Sequence, residues 1–107
     1  MIHVLGIETS CDDSCVAVIN DKYQVLSNVV SSQTEFHRRF GGIVPEVASR
    51  KHLEYLPLVL DQALRDAHLD LENIDLVAVT QGPGLLGSLL MGVCLAKTIA
   101  LFKDKTF

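Results

Sequence analysis

By its length the chain is one small domain, since 107 residues can bury one core but leave little room for a separate catalytic lobe. A hydrophobic content of 49% and a formal net charge of −4 are typical of a globular protein and exclude a basic nucleic-acid footprint over the whole domain. The three cysteines have no zinc-site spacing and no leader is recognisable, so we expect free thiols and a cytoplasmic protein.

The apolar runs predict three strands, a helix, a fourth strand and a second helix, in that order. The strands at 2–7, 15–19 and 23–30 are expected to form an antiparallel meander, and the first two are expected to be covered on both faces. The rest of the chain predicts a loop at 31–44, a helix at 45–68, a polar connection at 70–73, a strand at 75–80 and an apolar helix at 85–102. This order indicates an α/β fold with a mixed sheet.

The last helix is close to the minimum length of a membrane span, but it contains Lys97 and directly follows a strand. We therefore predict a buried helix and no membrane contact. Small residues recur at every fourth position and form a ridge that allows another backbone to approach: Gly84, Ser88, Gly92, Ala96 and Ala100.

The polar segment 6–14 between the first two strands is the first candidate site. Its Ser, Thr and Asp side chains either satisfy a tight turn or hold an anionic ligand. The glycine-rich turn at 82–84 offers a second candidate, because the N-terminus of the following helix favours anions. Alternatively, the glycines at 82–84 serve only to let the helix pack closely against the sheet. The structural and the ligand-binding interpretation both stay open for each of the two segments.

Four basic residues are concentrated in and just after the 31–44 loop, and only three glutamates lie near them in sequence. The four are Arg38, Arg39, Arg50 and Lys51. Such a patch binds phosphates or an acidic partner, or it is an ordinary solvated charged face.

Three ordered segments resemble the signatures of the tRNA threonylcarbamoyladenosine transferase family, formerly described as O-sialoglycoprotein endopeptidase or glycoprotease. They are GIETSCDD at 6–13, GGIVPEVASRKH at 41–52 and TQGPGLLGSL at 80–89. The resemblance implies an actin-like or ribonuclease H-like ATPase half-lobe of order β-β-β-α-β-α, with residues 1–107 as an incomplete N-terminal part of the first lobe. It also implies transfer of a threonylcarbamoyl group from its adenylate to a tRNA adenosine next to the anticodon.

By this resemblance, Asp12 and Asp13 would position the reacting groups, with proton transfer as a task for Asp12. The implied nucleotide- or phosphate-binding residues are Thr9, Ser10, Cys11, Gly82, Pro83 and Gly84. The basic patch would contact tRNA or a partner.

The family binds one divalent metal, iron or zinc, through a His-x-x-x-His motif and a distant Asp. None of the four histidines of this chain has that spacing, so we assign it no metal ligand and no bound cofactor. Without the metal and the second lobe, we predict that the chain does not catalyse alone.

An alternative function is an interaction module, since the two N-terminal helices of this family form a bundle with a paralogous subunit. The apolar stripe of the predicted helix at 45–68 is wider than packing against one face of the sheet requires. The additional apolar surface suits such a bundle or self-association. The predicted interface is Tyr55, Val59, Ser88, Gly92 and Ala96. A metalloprotease-like glycoprotease is a minor alternative, because no Ser/His/Asp or Cys/His set is arranged for nucleophilic attack.

Overall fold

The computed structural model describes residues 1–107 and confirms the α/β class. The four strands are β1 (His3–Glu8), β2 (Ser14–Asn20), β3 (Val25–Ser31) and β4 (Leu76–Val79). The three α-helices are α1 (Thr34–Arg38), α2 (Pro45–Asp66) and α3 (Leu86–Lys103). One turn of 3-10 helix, Leu71–Asn73, lies in the predicted polar connection.

The sheet is mixed, as the sequence predicts, and its strand order is β3-β2-β1-β4. β1 and β2 pair antiparallel, as do β2 and β3, whereas β4 lies parallel to β1. Leu5 of β1 therefore has Val18 of β2 on one side and Val77 of β4 on the other. The parallel pair requires a crossover connection, which α2 provides.

The core lies between one face of the sheet and the two long helices. Alternate strand residues, such as Leu5, Val16 and Val77, point into it and are almost fully buried. The prediction of coverage on both faces is wrong for this chain, because its helices pack on one face only. On the other face, Gly6 and Ala17 line an open cleft of about 440 Å³.

The 31–44 segment is not the irregular loop that its lack of periodicity predicts, because it contains α1. His37 on this helix is 2% exposed. Its Nε2 donates to Gln33 Oε1 at 2.7 Å, and its Nδ1 accepts the Val44 N–H at 3.1 Å. These two bonds fix both ends of the segment to the buried His37 ring. A helix of five residues is too short to be detected by its hydrophobic periodicity.

α2 buries about one residue per turn against the sheet, including His52, Leu56 and Ala63, and continues past Pro57. α3 has the length and mean hydropathy (1.6) of a membrane span, and 22% of its residues are buried within the chain. The core helix of a globular protein passes the same test of length and hydropathy, so these two properties do not place the chain in a membrane. The prediction of a buried helix is wrong for this chain, because most of α3 is not buried within it. α3 packs against α2, β1 and β4.

Candidate functional site

The β1–β2 loop and the turn before α3 meet at one edge of the sheet. The Leu85 N–H donates to the Ser10 carbonyl oxygen at 2.8 Å. A Cβ atom added to Gly84 would lie 2.5 Å from that same oxygen, so this approach requires glycine. The structure thus brings Ser10 and Gly84 together, while Gly82 and Pro83 lie exposed beside them.

Thr9 is fully buried and bonded to the backbone of α3. Its Oγ1 donates to the Ser88 carbonyl oxygen at 2.6 Å and accepts the Gly92 N–H at 3.1 Å. A carbonyl oxygen and an N–H four residues apart are the usual partners of one α-helical hydrogen bond. The Thr9 hydroxyl therefore lies between two such partners, within the row of backbone hydrogen bonds of α3 (the α3 ladder). The Thr9 hydroxyl thus makes one donated and one accepted bond inside the fold, and a phosphate contact by this residue stays a prediction.

Two backbone groups of the loop are also occupied by side chains. The Ser10 N–H donates to Glu8 Oε1 at 2.6 Å, and the Cys11 carbonyl oxygen accepts a bond from His52 Nε2 at 2.8 Å. Neither Glu8 nor His52 was assigned a role from sequence, although a glutamate in an apolar strand is an available signal. The N–H groups of Cys11 and Asp13 donate to no backbone carbonyl, whereas the Asp12 N–H is directed at the Cys11 sulfur.

The two loop carboxylates have different surroundings. Asp12 lines a cleft of about 360 Å³ whose opposite wall is formed by α1 and the glycines after it, including Arg38 and Gly42. The Oδ1 of Asp13 is buried and has no hydrogen-bond partner. A buried carboxylate oxygen without a donor is unfavourable.

The two cysteines near this loop are held as thiols. Burial, with a smaller contribution from the carboxylates of Glu8, Asp13 and Asp12, raises the pKa of Cys15 to about 11. Burial and then the neighbouring Asp12 carboxylate also raise the pKa of Cys11. Since a thiolate forms only as the pH approaches the pKa, neither side chain is a nucleophile at neutral pH.

The four basic residues lie on or beside α1 and along one side of α2. Three of them have a carboxylate one turn away, at 3.7, 3.9 and 3.7 Å: Arg38 with Glu35, Arg50 with Glu46 and Lys51 with Glu54. Lys51 Nζ also lies 5.6 Å from the Phe36 ring centroid and 5.4 Å from that of Tyr55. Exposed ion pairs are weak, so Arg38 and Arg50 keep most of their capacity for another anion, and Arg39 has no ion pair.

The predicted helix-bundle interface is wrong in composition. Val59, Ser88, Gly92 and Ala96 are all buried inside the chain, where the small-residue ridge of α3 faces the sheet and Thr9. Tyr55 is half-buried beside Lys51. The apolar residues that α2 and α3 do expose are Leu53, Leu58, Leu86, Leu90, Leu101 and Phe102.

No group of three or more His, Cys, Asp or Glu side chains in the chain is arranged to hold a metal ion. His37 and His52 each use both ring nitrogens in bonds within the fold. These residues therefore do not fit the metal site that the resemblance implies for the longer proteins.

Among solved structures, the chain is similar in fold to YeaZ from Pseudomonas aeruginosa. The TM-score is 0.75 at 17% sequence identity, and the match covers 98% of this chain and 41% of that one. An identity this low shows the fold alone.

Sequence comparisons identify the family. Residues 24–107 match the family model TsaD: tRNA N6-adenosine threonylcarbamoyltransferase. The protein of that name from Bacillus thuringiensis is 52% identical over 101 residues, which are 94% of this chain and 29% of the relative. The one from Caldicellulosiruptor saccharolyticus is 56% identical over 104 residues, which are 97% of this chain and 31% of the relative. The chain thus spans less than a third of these relatives, but it belongs to the tRNA N6-adenosine threonylcarbamoyltransferase family.

Proposed function

We propose that this chain forms the wall of a tRNA-modifying active site that holds the adenylate donor, as the N-terminal part of the first lobe. The meeting of the β1–β2 loop with the start of α3 carries the proposal. Two loop N–H groups, those of Cys11 and Asp13, donate to no carbonyl there, and no side chain caps α3. N–H groups of this kind stabilise the phosphate of an adenylate.

In the proposed reaction, the exocyclic amine of a tRNA adenosine attacks the threonylcarbamoyl carbonyl carbon. A C–N bond forms, the C–O bond to the phosphate breaks, and adenosine monophosphate leaves. Asp12, which lines the cleft, accepts the proton that the amine loses. Asp13 offers its buried oxygen to a donor group and so orients the substrate.

We propose that the chain contributes no ligand to the iron or zinc that the family resemblance implies, and binds no cofactor alone. The site of action is the cytoplasm, where tRNA is modified. Arg38, Arg39 and Arg50 are exposed on or beside α1 and along α2 and supply positive charge for the tRNA backbone, whereas Lys51 is half-buried beside two aromatic rings.

The test is a chimera in which these 107 residues replace the matching N-terminal residues of the Bacillus thuringiensis relative. The chimera and the relative are each incubated with threonylcarbamoyl-adenylate and unmodified tRNA, and the tRNA nucleosides are measured by mass spectrometry. We expect modified adenosine from the chimera and none from the 107-residue chain alone. A folded but inactive chimera would contradict the proposed function, and activity of the chain alone would contradict its dependence on a second lobe.

A second proposed function is association through α2 and α3, with a paralogous subunit or a second copy. It is favoured by the exposed leucines of the two helices and by the apolar groove of about 190 Å³ between them. Leu53, Met91 and Leu95 line this groove. An exposed apolar surface that continues into a groove is a common site of helix docking.

Replacing Leu53, which is 67% exposed, by aspartate is expected to weaken self-association of the isolated chain at least tenfold. The added carboxylate would have to be desolvated when a second helix covers the groove. Sedimentation velocity over a concentration series measures the change. Tyr23→Asp, at a position 91% exposed in the β2–β3 turn, is the matched control. A strictly monomeric wild-type chain at high concentration would count against self-association.

A further inference from the structure

His52 lies on α2 and is hydrogen-bonded through both ring nitrogens. Its Nε2 is 2.8 Å from the Cys11 carbonyl oxygen, and its Nδ1 is 2.8 Å from Ser14 Oγ. His52 and Ser14 are both fully buried. A carbonyl oxygen can only accept, so Nε2 carries the proton and donates it, and Nδ1 of the neutral ring accepts the Ser14 hydroxyl proton.

The two bonds bracket the residues that carry the carboxylates. Cys11 and Ser14 are the immediate neighbours of Asp12 and Asp13, so one ring holds the loop at both ends of the pair. Only Ser14 of these four residues pairs with another strand, through Ser31. The geometry of Asp12 and Asp13 therefore depends on a side chain that is about forty positions away in sequence and is itself fixed inside the core.

We propose that His52 is a positioning residue, which sets the geometry of Asp12 and Asp13 through the Cys11 carbonyl and the Ser14 hydroxyl without touching the substrate. The importance of His52 for the transfer reaction rests on the proposed function. Its effect on the geometry of the loop does not depend on that function. A residue that only filled space would be replaceable by any side chain of similar volume. A positioning residue requires a donor at Nε2 and an acceptor at Nδ1.

Four variants separate these roles. Ser14→Ala removes one bond by deleting a single oxygen atom. His52→Gln keeps an amide donor near the position of Nε2, and His52→Asn keeps an amide acceptor near that of Nδ1. Ser27→Ala is the matched control, because Ser27 is another buried strand serine and its hydroxyl has no hydrogen-bond partner.

The measurement is nuclear magnetic resonance of the ¹⁵N-labelled 107-residue chain. The His52 nitrogen shifts should show the neutral tautomer with the proton on Nε2. In Ser14→Ala, the backbone order parameters of residues 11–14 should fall from about 0.85 to about 0.6 or lower, and the rest of the chain should keep its values. His52→Gln should preserve order at Cys11 better than at Ser14, His52→Asn should do the reverse, and Ser27→Ala should change neither.

Unchanged order of residues 11–14 in Ser14→Ala and in both His52 variants would overturn the proposal, as would a His52 proton on Nδ1. If the His52 variants do not fold, Ser14→Ala against Ser27→Ala still decides the result. Failure of the proposed function appears separately, as an inactive chimera, and leaves these loop measurements unaffected.

Discussion

Replacing Asp12 by asparagine in the chimera should lower the rate of adenosine modification by roughly 10²–10⁴-fold, the range in which a positioned proton acceptor contributes. Asparagine has nearly the same shape but cannot accept the proton that leaves the attacking amine. Asp12 is half-buried and lines the cleft, where the substitution changes the charge and leaves the volume of the side chain almost unchanged. A single-turnover measurement with saturating adenylate isolates the chemical step from product release.

Asp21→Asn is the matched control for that experiment, because Asp21 is exposed in the β2–β3 turn, away from the cleft. Its rate should stay close to that of the unmodified chimera. If Asp12→Asn lowered the modification rate less than tenfold, the Asp12 carboxylate would not be the proton acceptor. The loop would then contribute to binding only.

Replacing Gly92 by alanine should destabilise the chain by about 2–3 kcal/mol, although alanine is the better helix former by about 1 kcal/mol. The new Cβ would lie 2.5 Å from Thr9 Oγ1 and 3.4 Å from Val79 Cγ2. The Thr9 side chain would have to move away from α3, which breaks its bonds to the backbone of Ser88 and Gly92 in a buried position. Urea unfolding followed by circular dichroism measures the loss.

Gly42→Ala serves as the control, because a Cβ there would meet nothing within 4 Å. Its free energy of unfolding should not fall measurably. If Gly92→Ala proved as stable as Gly42→Ala, the Thr9 hydroxyl would not occupy the α3 ladder in solution. The same result would leave the Thr9 hydroxyl free for a ligand.

Most of the fold follows from local patterns, because periodicity reports which face of an element is buried. The order of the strands and the two long helices was predicted correctly, but the short helix α1 was missed, and the other errors lie at the ends of elements. β3 begins at Val25 rather than at 23, since Tyr23 has a φ of 60° and cannot continue a strand. α2 ends at Asp66, two residues early, because His68 has a φ of 57° and Ala67 ends the helix before it.

The candidate site was predictable only in outline. The three motifs located its loops, but the bonds that shape it join residues far apart in sequence, as Thr9 and Gly92 or Ser14 and His52 do. Propensity and spacing contain no information about such pairs. The small-residue ridge of α3 illustrates this limit, since close approach was correctly expected. The group that approaches Gly92 is the side chain of Thr9 and not a partner helix.

The position of His52 joins two surfaces of the molecule. His52 is one of the residues that line the groove between α2 and α3, and its buried ring holds the loop of Asp12 and Asp13. A chain seated in that groove would rest on the element that fixes the carboxylates. Thermodynamic linkage then makes the effect reciprocal: if occupancy of the groove orders the loop, a ligand on the loop must tighten occupancy of the groove by the same factor.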